Sequence, residues 1–333
     1  MNKFSNLILC ALIACGSYSA ASGANEYKGS QGQAVEDGFY SEFEHIGFYV
    51  KDYFVYRNPD DKVYHLYYNI GNAGPKQMWN QPFNEKQFGH ATSKDLKTWV
   101  IHDTLLPVVP GTWESDVVSA PYVVRHDGTF YMAYTGFGRR ANQRMGIATS
   151  DDLFNWTRVP ENPVAVGPSW TKWQEKGWAD FRDPALLEWK GQWIAFNTIK
   201  DPQGVGGLAI STSKDLINWE HLPRERSILT NWREPESPVA FKRKDKIYLI
   251  ASSSHGRQMW MTDDPLSGNW KTVPFVFPSD GIWSGWEYLE SPEGKEMLSV
   301  FLWKKNGNFI RFWELEWNGD TPRLVKTKHI PTK

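Results

Sequence analysis

The stretch SKDLKTW (Ser93–Trp99) decides the fold, because the chain returns to it. SDDLFNW (Ser150–Trp156) and SKDLINW (Ser213–Trp219) repeat it, and TDDPLSGNW (Thr262–Trp270) is a degenerate copy. The shared pattern is S-x-D-L-x-x-W. Ser and Asp side chains bond nearby backbone and fix a turn; Leu and Trp then anchor that turn on a packed surface. Upstream of each copy stand two apolar runs joined by a tight-turn signal: DYFVYRNPDDKVYHLYYN (Asp52–Asn69), APYVVRHDGTFYMAYTG (Ala120–Gly136), DPALLEWKGQWIAFNT (Asp183–Thr198) and SPVAFKRKDKIYLIAS (Ser237–Ser252). Each reads as a hairpin. A third strand, such as QRMGIATS (Gln143–Ser150), leads into the turn, and a fourth short strand follows the Trp. A weaker unit covers Trp286–Trp317, and helical periodicity is nearly absent. Four antiparallel strands recurring at about 50–60 residues specify an all-β chain, a five-bladed β-propeller. A two-layer β-sandwich is the alternative, and the repeat spacing argues against it. FEHIGFYV (Phe43–Val50) is expected to supply a strand that closes the ring.

Bulk properties narrow the partners. The 333 residues are 41% hydrophobic, enough for a substantial core. With 37 basic against 38 acidic residues there is no electrostatic reason to expect nucleic acid. The 18 Trp, 14 Tyr and 18 Phe exceed what a core needs. Some can line a sugar-binding cleft, since aromatic faces pack on the C–H faces of sugar rings.

The N-terminus reads as a leader. MNKFSNLILCALIACG has a basic start at Lys3, then an apolar run too short to span a bilayer. LIAC (Leu12–Cys15) resembles a bacterial lipobox, which would lipidate Cys15; cleavage near SAASGA (Ser19–Ala24) is the alternative. The expected organisation is a signal peptide over 1–15, a flexible tether over 16–37 and one propeller over 38–333. The chain is then exported to the periplasm, outer membrane or cell surface, touches membrane only through a lipid anchor, and is expected to be a monomer. Both cysteines, Cys10 and Cys15, fall in the leader, so the mature fold has no disulfide and no cysteine metal site. No cofactor is required; a structural ion on the propeller axis, near His255, is the one metal option.

Aligning the blades on their hairpins brings Asp52, Ala120-Pro121, Asp183-Pro184 and Glu236-Ser237-Pro238 to the starts of the innermost strands. Those starts surround one mouth of the central channel. Asp52, Asp183 and Glu236, far apart in sequence, should therefore meet. Asp183 could instead be a corner residue in a salt bridge with Arg182. Glu234 competes with Glu236, which alone has the Glu-x-Pro spacing. Asp60 and Asp61 are alternatives to Asp52 but fall in a turn.

Here the sequence resembles known enzymes. FRDP (Phe181–Pro184) looks like the Arg-Asp-Pro signature of five-bladed-propeller glycosidases, and ESP (Glu236–Pro238) resembles their Glu-Cys-Pro or Glu-Gly-Pro motif. FGHATSKDLKTW (Phe88–Trp99) is similar to a segment of glycoside hydrolase family 32. Residues 40–320 or so fit the superfamily that holds families 32, 43, 62, 68 and 117. The resemblance implies a glycosidase acting on oligosaccharides or polysaccharides of plants or algae, with Glu236 as acid and Asp52 as base or nucleophile. Asp183 would hold the acid's proton and contact a substrate hydroxyl, with Arg182 orienting it. Two carboxyl groups flanking the scissile bond are what glycoside hydrolysis needs. Trp79, His90, Asp116 and Asp180 are further candidates for substrate contact, His90 being equally readable as a structural histidine.

The Trp-x-Asn-Asp-Pro-Asn sequence of family 32 is missing around Asp52, where Tyr53 replaces the usual Pro. No β-sandwich is expected after the fifth unit. Both features favour a family 43-like, inverting enzyme over a retaining β-fructosidase. The missing Pro also admits a sugar-binding propeller without chemistry. A phosphorylase would need a basic cluster, for which Arg139, Arg140 and Arg144 are candidates.

Overall fold

A computed structural model describes residues 25–28, 39–72, 84–139, 142–175, 177–230, 235–253, 256–275, 283–304 and 307–325. Cys15, Trp79, Arg140, Glu234 and His255 lie outside these residues, as does most of the expected leader and tether. Two strands, β1 (Asn25–Lys28) and β2 (Ser41–Glu44), precede the repeats. Blade 1 holds β3 (Phe48–Arg57), β4 (Tyr64–Asn72), β5 (Phe88–Ser93) and β6 (Thr98–Leu105); blade 2 holds β7 (Val117–His126), β8 (Thr129–Phe137), β9 (Arg144–Ser150) and β10 (Thr157–Arg158). Blade 3 holds β11 (Phe181–Trp189), β12 (Gln192–Lys200), β13 (Gly206–Ser213) and β14 (Glu220–His221), with β15 (Ile228–Leu229) also paired to β13. Blade 4 holds β16 (Glu236–Arg243), β17 (Lys246–Ser253), β18 (Gly256–Thr262) and β19 (Lys271–Val273). Blade 5 is built from β20 (Trp283–Glu290), β21 (Glu296–Lys304) and β22 (Gly307–Asn318), with β23 (Thr321–Val325) and β2 both on β22. The five sheets are antiparallel meanders, and the expected five-bladed propeller is the fold.

An N-terminal strand closes the ring, but it is Ser41–Glu44, which shares only Phe43 and Glu44 with the expected Phe43–Val50. Ser41–Glu44 pairs with Phe312–Phe309, joining the N-terminal strand to the last blade. Gly47, at a φ of +85°, then turns the chain, and Phe48–Val50 already belongs to the inner strand of blade 1. One expectation is corrected. Asn25–Lys28, inside the stretch read as tether, pairs with Ile101–Thr98 of β6. An edge strand presents unpaired N–H and C=O groups, and a passing segment gains by pairing with them.

The turns explain the repeat. Ser93 Oγ accepts from the N–H groups of Asp95 (3.2 Å) and Leu96 (2.8 Å), and Asp95 Oδ1 accepts from those of Lys97 (2.8 Å) and Thr98 (2.7 Å). Ser150 with Asp152, and Ser213 with Asp215, repeat these bonds. Leu96, Leu153 and Leu216 take φ values of +60°, +68° and +65°, which swing each leucine into the core, where all three are buried. Burying a leucine contributes about 1.5–3 kcal/mol, enough to offset a left-handed residue. Aromatic packing joins neighbouring blades, as where Phe54 of blade 1 meets Tyr122 of blade 2 at 4.0 Å between ring centroids.

Candidate active site

Each innermost strand carries a β-bulge near its start. The register slips between Lys51 and Tyr53, Ser119 and Tyr122, Arg182 and Ala185, Glu236 and Val239, and Ser284 and Trp286. The extra residue is left-handed every time: Asp52 at a φ of +40°, Ala120 at +51°, Asp183 at +54°, Ser237 at +47° and Gly285 at +61°. Four of the five are not glycine, each at a cost of about 1–3 kcal/mol. A bulge bends the strand and re-aims its side chain. Repeated in every blade, it builds a ring around the channel mouth.

Pro follows the left-handed residue in blades 2, 3 and 4, as Pro121, Pro184 and Pro238. Proline suits a place where the ladder bond is already broken. In blade 1 Tyr53 holds that place and pairs with Tyr68, yet Asp52 remains left-handed. The missing Pro therefore leaves the bulge intact.

The structure brings Asp52, Asp183 and Glu236 together. Ser237 Oγ–H donates to Asp52 Oδ1 (3.2 Å), and the Ser237 N–H donates to Asp183 Oδ2 (3.0 Å). Arg182 Nη2 donates to Glu236 Oε1 (3.2 Å), while its Nε lies 3.6 Å from Asp183 Oδ2. Glu236 stands one residue before the left-handed place of blade 4, where Arg182 stands in blade 3 and Lys51 in blade 1. Burial pushes Asp183 up to about 7; Arg182 opposes this, and the charges of Asp52 and Glu236 add to it. The triad therefore keeps a proton at pH values where ordinary carboxylic acids have lost theirs. The Glu236 side chain is 42% exposed.

Arg182 is held from below by Asp180, which also accepts from Trp178 Nε1 (3.0 Å) and lies 3.4 Å from Lys200 Nζ. Against the upward push of burial, Arg182, the indole N–H and Lys200 hold Asp180 below the usual carboxylate range. Asp180, read as a sugar contact, is instead buried and spent on fixing Arg182. Asp116 sits ahead of β7, accepts from Ser115 Oγ (2.8 Å), and has Lys86 and Arg139 each at 3.8 Å.

His90 is corrected. It is buried in blade 1, stacks on Tyr67 (4.8 Å between centroids) and meets His65 Nδ1 through its Nε2 (3.1 Å). The pleat turns it to a face that Phe154 of the blade 2 turn covers, so it is a structural histidine. Burial pushes it well below the usual histidine range, with His65 and His102 adding to the shift. Arg144 is paired with Glu175 (2.6 Å) and lies over the Trp173 ring, so it does not join Arg139 in an anion site. No three His, Cys, Asp or Glu side chains among the described residues are grouped to hold a metal.

Sequence reasoning missed three residues around Asp52. Lys51 Nζ lies 3.8 Å from Asp52 Oδ2 and 2.5 Å from Glu85 Oε1. Asn69 Nδ2 donates to Asp52 Oδ2 (3.1 Å), its amide oriented by the Ala120 N–H, which donates to Asn69 Oδ1 (2.8 Å). Ser237 is the third. The doublet Lys51-Asp52, matching Arg182-Asp183, was the signal available for Lys51.

Comparison with known proteins identifies the family. The model of the glycosyl hydrolases family 32 N-terminal domain matches residues 54–264. The chain belongs to family 32 of the glycosyl hydrolases. This family 32 chain is 33% identical over 178 residues to an insoluble β-fructofuranosidase isoenzyme of Arabidopsis thaliana, covering 49% of this chain and 28% of that protein. It is 27% identical over 201 residues to a 1,2-β-oligomannan phosphorylase of a Thermoanaerobacter species, covering 57% of this chain and 60% of that one. In both cases it matches less than two thirds of the relative's length. A thermostable family-43 glycoside hydrolase shares the fold at a TM-score of 0.64 and 13% identity, over 86% of this chain and 96% of that one.

Proposed function

We propose that this family 32 chain hydrolyses glycosidic bonds of plant-type oligosaccharides, with β-fructofuranosides the leading substrate class. One observation carries the reading: a backbone ring repeated in five blades bears carboxylates from three of them, converging on Arg182 and Ser237. In the first step an Asp52 oxygen bonds the anomeric carbon while the bond to the leaving oxygen breaks, and Glu236 gives that oxygen its proton. In the second, water attacks the anomeric carbon, loses a proton to Glu236, and releases Asp52. Arg182 orients Glu236, and the proton on Asp183 suits it to hydrogen-bond a sugar hydroxyl at the floor. Substrate would cover the half-exposed Glu236, and such desolvation favours the protonated acid.

Membership of family 32 favours this double displacement, with retention, over the inversion that the missing first-blade motif suggested. The β-fructofuranosidase relative supports a fructosyl substrate; export and lipidation at Cys15 remain part of the proposal. The test is a screen of the purified chain on sucrose, 1-kestose, levan and nitrophenyl glycosides, with and without inorganic phosphate. Free sugar released by wild type and lost in Glu236→Gln supports hydrolysis. Sugar phosphate formed only with phosphate replaces it with phosphorolysis, and proton NMR of the first-formed anomer separates retention from inversion.

A further inference from the structure

We propose that the Ser237 hydroxyl positions Asp52 for reaction, acting as a switchable donor to one of its two oxygens; this rests on the catalytic reading of Asp52 given above. Ser237 is placed as no other residue of the ring is. Its N–H and its hydroxyl serve two different carboxylates, Asp183 Oδ2 at 3.0 Å and Asp52 Oδ1 at 3.2 Å. Its chain neighbour is Glu236. One residue thus touches two members of the triad and adjoins the third.

The N–H arrangement departs from the pattern of blades 2 and 3. In blade 2 the bulge N–H of Ala120 donates to Asn69 of blade 1, and in blade 3 that of Asp183 donates to Thr135 Oγ1 of blade 2 (2.8 Å). Asn69 and Thr135 each lie opposite the residue before a bulge, and Thr198 holds that place in blade 3. The Thr198 hydroxyl is buried and has no hydrogen-bond partner among the described residues. The Ser237 N–H goes to Asp183 instead. The bond still ties blade 4 to blade 3, but its acceptor is a carboxylate of the triad where blades 2 and 3 use a neutral side chain.

The hydroxyl adds a second function. Asn69 Nδ2 holds Asp52 Oδ2 at 3.1 Å, and its amide is fixed by Ala120, so that donor cannot turn away. A serine hydroxyl rotates freely about its C–O bond. When one Asp52 oxygen bonds the anomeric carbon, the carboxylate becomes an ester and its charge is lost. A fixed donor stays on one oxygen, while the Ser237 hydroxyl can follow the change and return as Asp52 is released. The charged groups facing Asp52 are Lys51, itself paired with Glu85, together with Asp183 and the adjoining Glu236. Among the hydrogen bonds to Asp52 described here, that of Ser237 is the one made by a freely rotating hydroxyl.

Ser237→Ala and Ser237→Gly test this together. Both remove the hydroxyl and keep the N–H bond to Asp183. Glycine also relieves the left-handed backbone, so Ser237→Gly is expected to melt no lower than wild type and Ser237→Ala slightly lower. Both should lower kcat by about tenfold or more with little change in KM, the size expected for losing a hydrogen bond to a charged group. Both should also move the acidic limb of kcat/KM to higher pH, because a carboxylate that loses a donor to its charged form holds its proton more firmly. Ser237→Thr should recover part of the rate. The Asp52 side-chain carbon resonance, followed against pH in 13C-aspartate-labelled wild type and Ser237→Gly, gives a readout that needs no substrate. A titration displaced upward in a chain that hydrolyses nothing keeps the hydroxyl's hold on Asp52 and removes the glycosidase reading. An unmoved resonance, or a rate loss confined to the less stable Ala variant, overturns the positioning role.

Discussion

The outer turns and the inner bulges are made of the same materials. Each repeats a left-handed residue from blade to blade and uses Asp and Ser side chains with backbone N–H groups. The turns repeat their side chains too: Asp95, Asp152 and Asp215 all accept the same two N–H bonds from the residues that follow. The bulges repeat only the backbone. Their left-handed places hold Asp52, Ala120, Asp183, Ser237 and Gly285, and the carboxylates reach across to other blades. An aspartate that recurs in register closes its own turn. One that breaks the register of an otherwise constant backbone is there for something outside the strand.

The electrostatics of the two regions have opposite signs. Against the upward push of desolvation, backbone and side-chain donors together hold the turn aspartates low, Asp152 at about 2. Such a group stabilises the fold above its unfolded value and loses that contribution as pH falls towards 2. Asp183 is raised from 3.8 to about 7, burial first among the causes. The folded chain binds its proton more tightly than the unfolded chain does, so stability is lost as pH rises from about 4 through 7.

The largest expected effect breaks the ring. Glu236→Gln should lower kcat on sucrose or 1-kestose by about a thousandfold or more. A nitrophenyl glycoside should suffer far less, since its leaving group needs little protonation. Equal losses on both would remove Glu236 from the role of acid.

Asp183→Asn should sharpen the comparison by separating activity from stability. At pH 8 the variant is expected to be more stable than wild type by roughly 2–4 kcal/mol, because a buried group no longer has to ionise. The two should converge near pH 4, and the variant should be the slower enzyme throughout. Urea denaturation at both pH values checks this; a variant less stable at pH 8 would contradict the burial argument.

Leu153→Ala, in the turn of blade 2, should cost about 2–5 kcal/mol by emptying a buried site. Ser150→Ala should cost about 1 kcal/mol by removing the acceptor for two N–H groups. Neither should change kcat at a temperature where both variants are folded. A rate loss would show that the turns reach the channel mouth.

What was legible in the sequence follows the same division. The turns were plain because Ser, Asp, Leu and Trp each have a local reason to stand where they do. Asp183 and Glu236 were legible through the Pro that follows the bulge, a residue whose missing N–H marks a broken ladder. The bulge itself was hidden, because Ala120 and Ser237 are not residues that announce a positive φ. Ser237 reaches Asp52 from a strand distant in the chain and Asn69 is fixed by Ala120 of the next blade, contacts that no spacing encodes; for Lys51 the doublet with Asp52 was the one signal. His90 was misplaced because a resemblance fixes a residue's position in the chain but not the face of the sheet it occupies. The closing strand was expected up to Val50, since its apolar run continues past Gly47 without a break in character.

The most direct test compares the aspartates of the two regions in one experiment. Asp52→Asn and Asp183→Asn on the ring, and Asp95→Asn, Asp152→Asn and Asp215→Asn in the turns, are each measured for kcat/KM on the best substrate of the screen and for melting temperature at pH 7. The ring variants should lose most of their activity and keep or raise their melting temperature. The turn variants should melt lower and turn over at the wild-type rate. Ring variants that lose stability but not activity, or turn variants as inactive as Asp52→Asn, would contradict the division between a repeated scaffold and a site written into its exceptions.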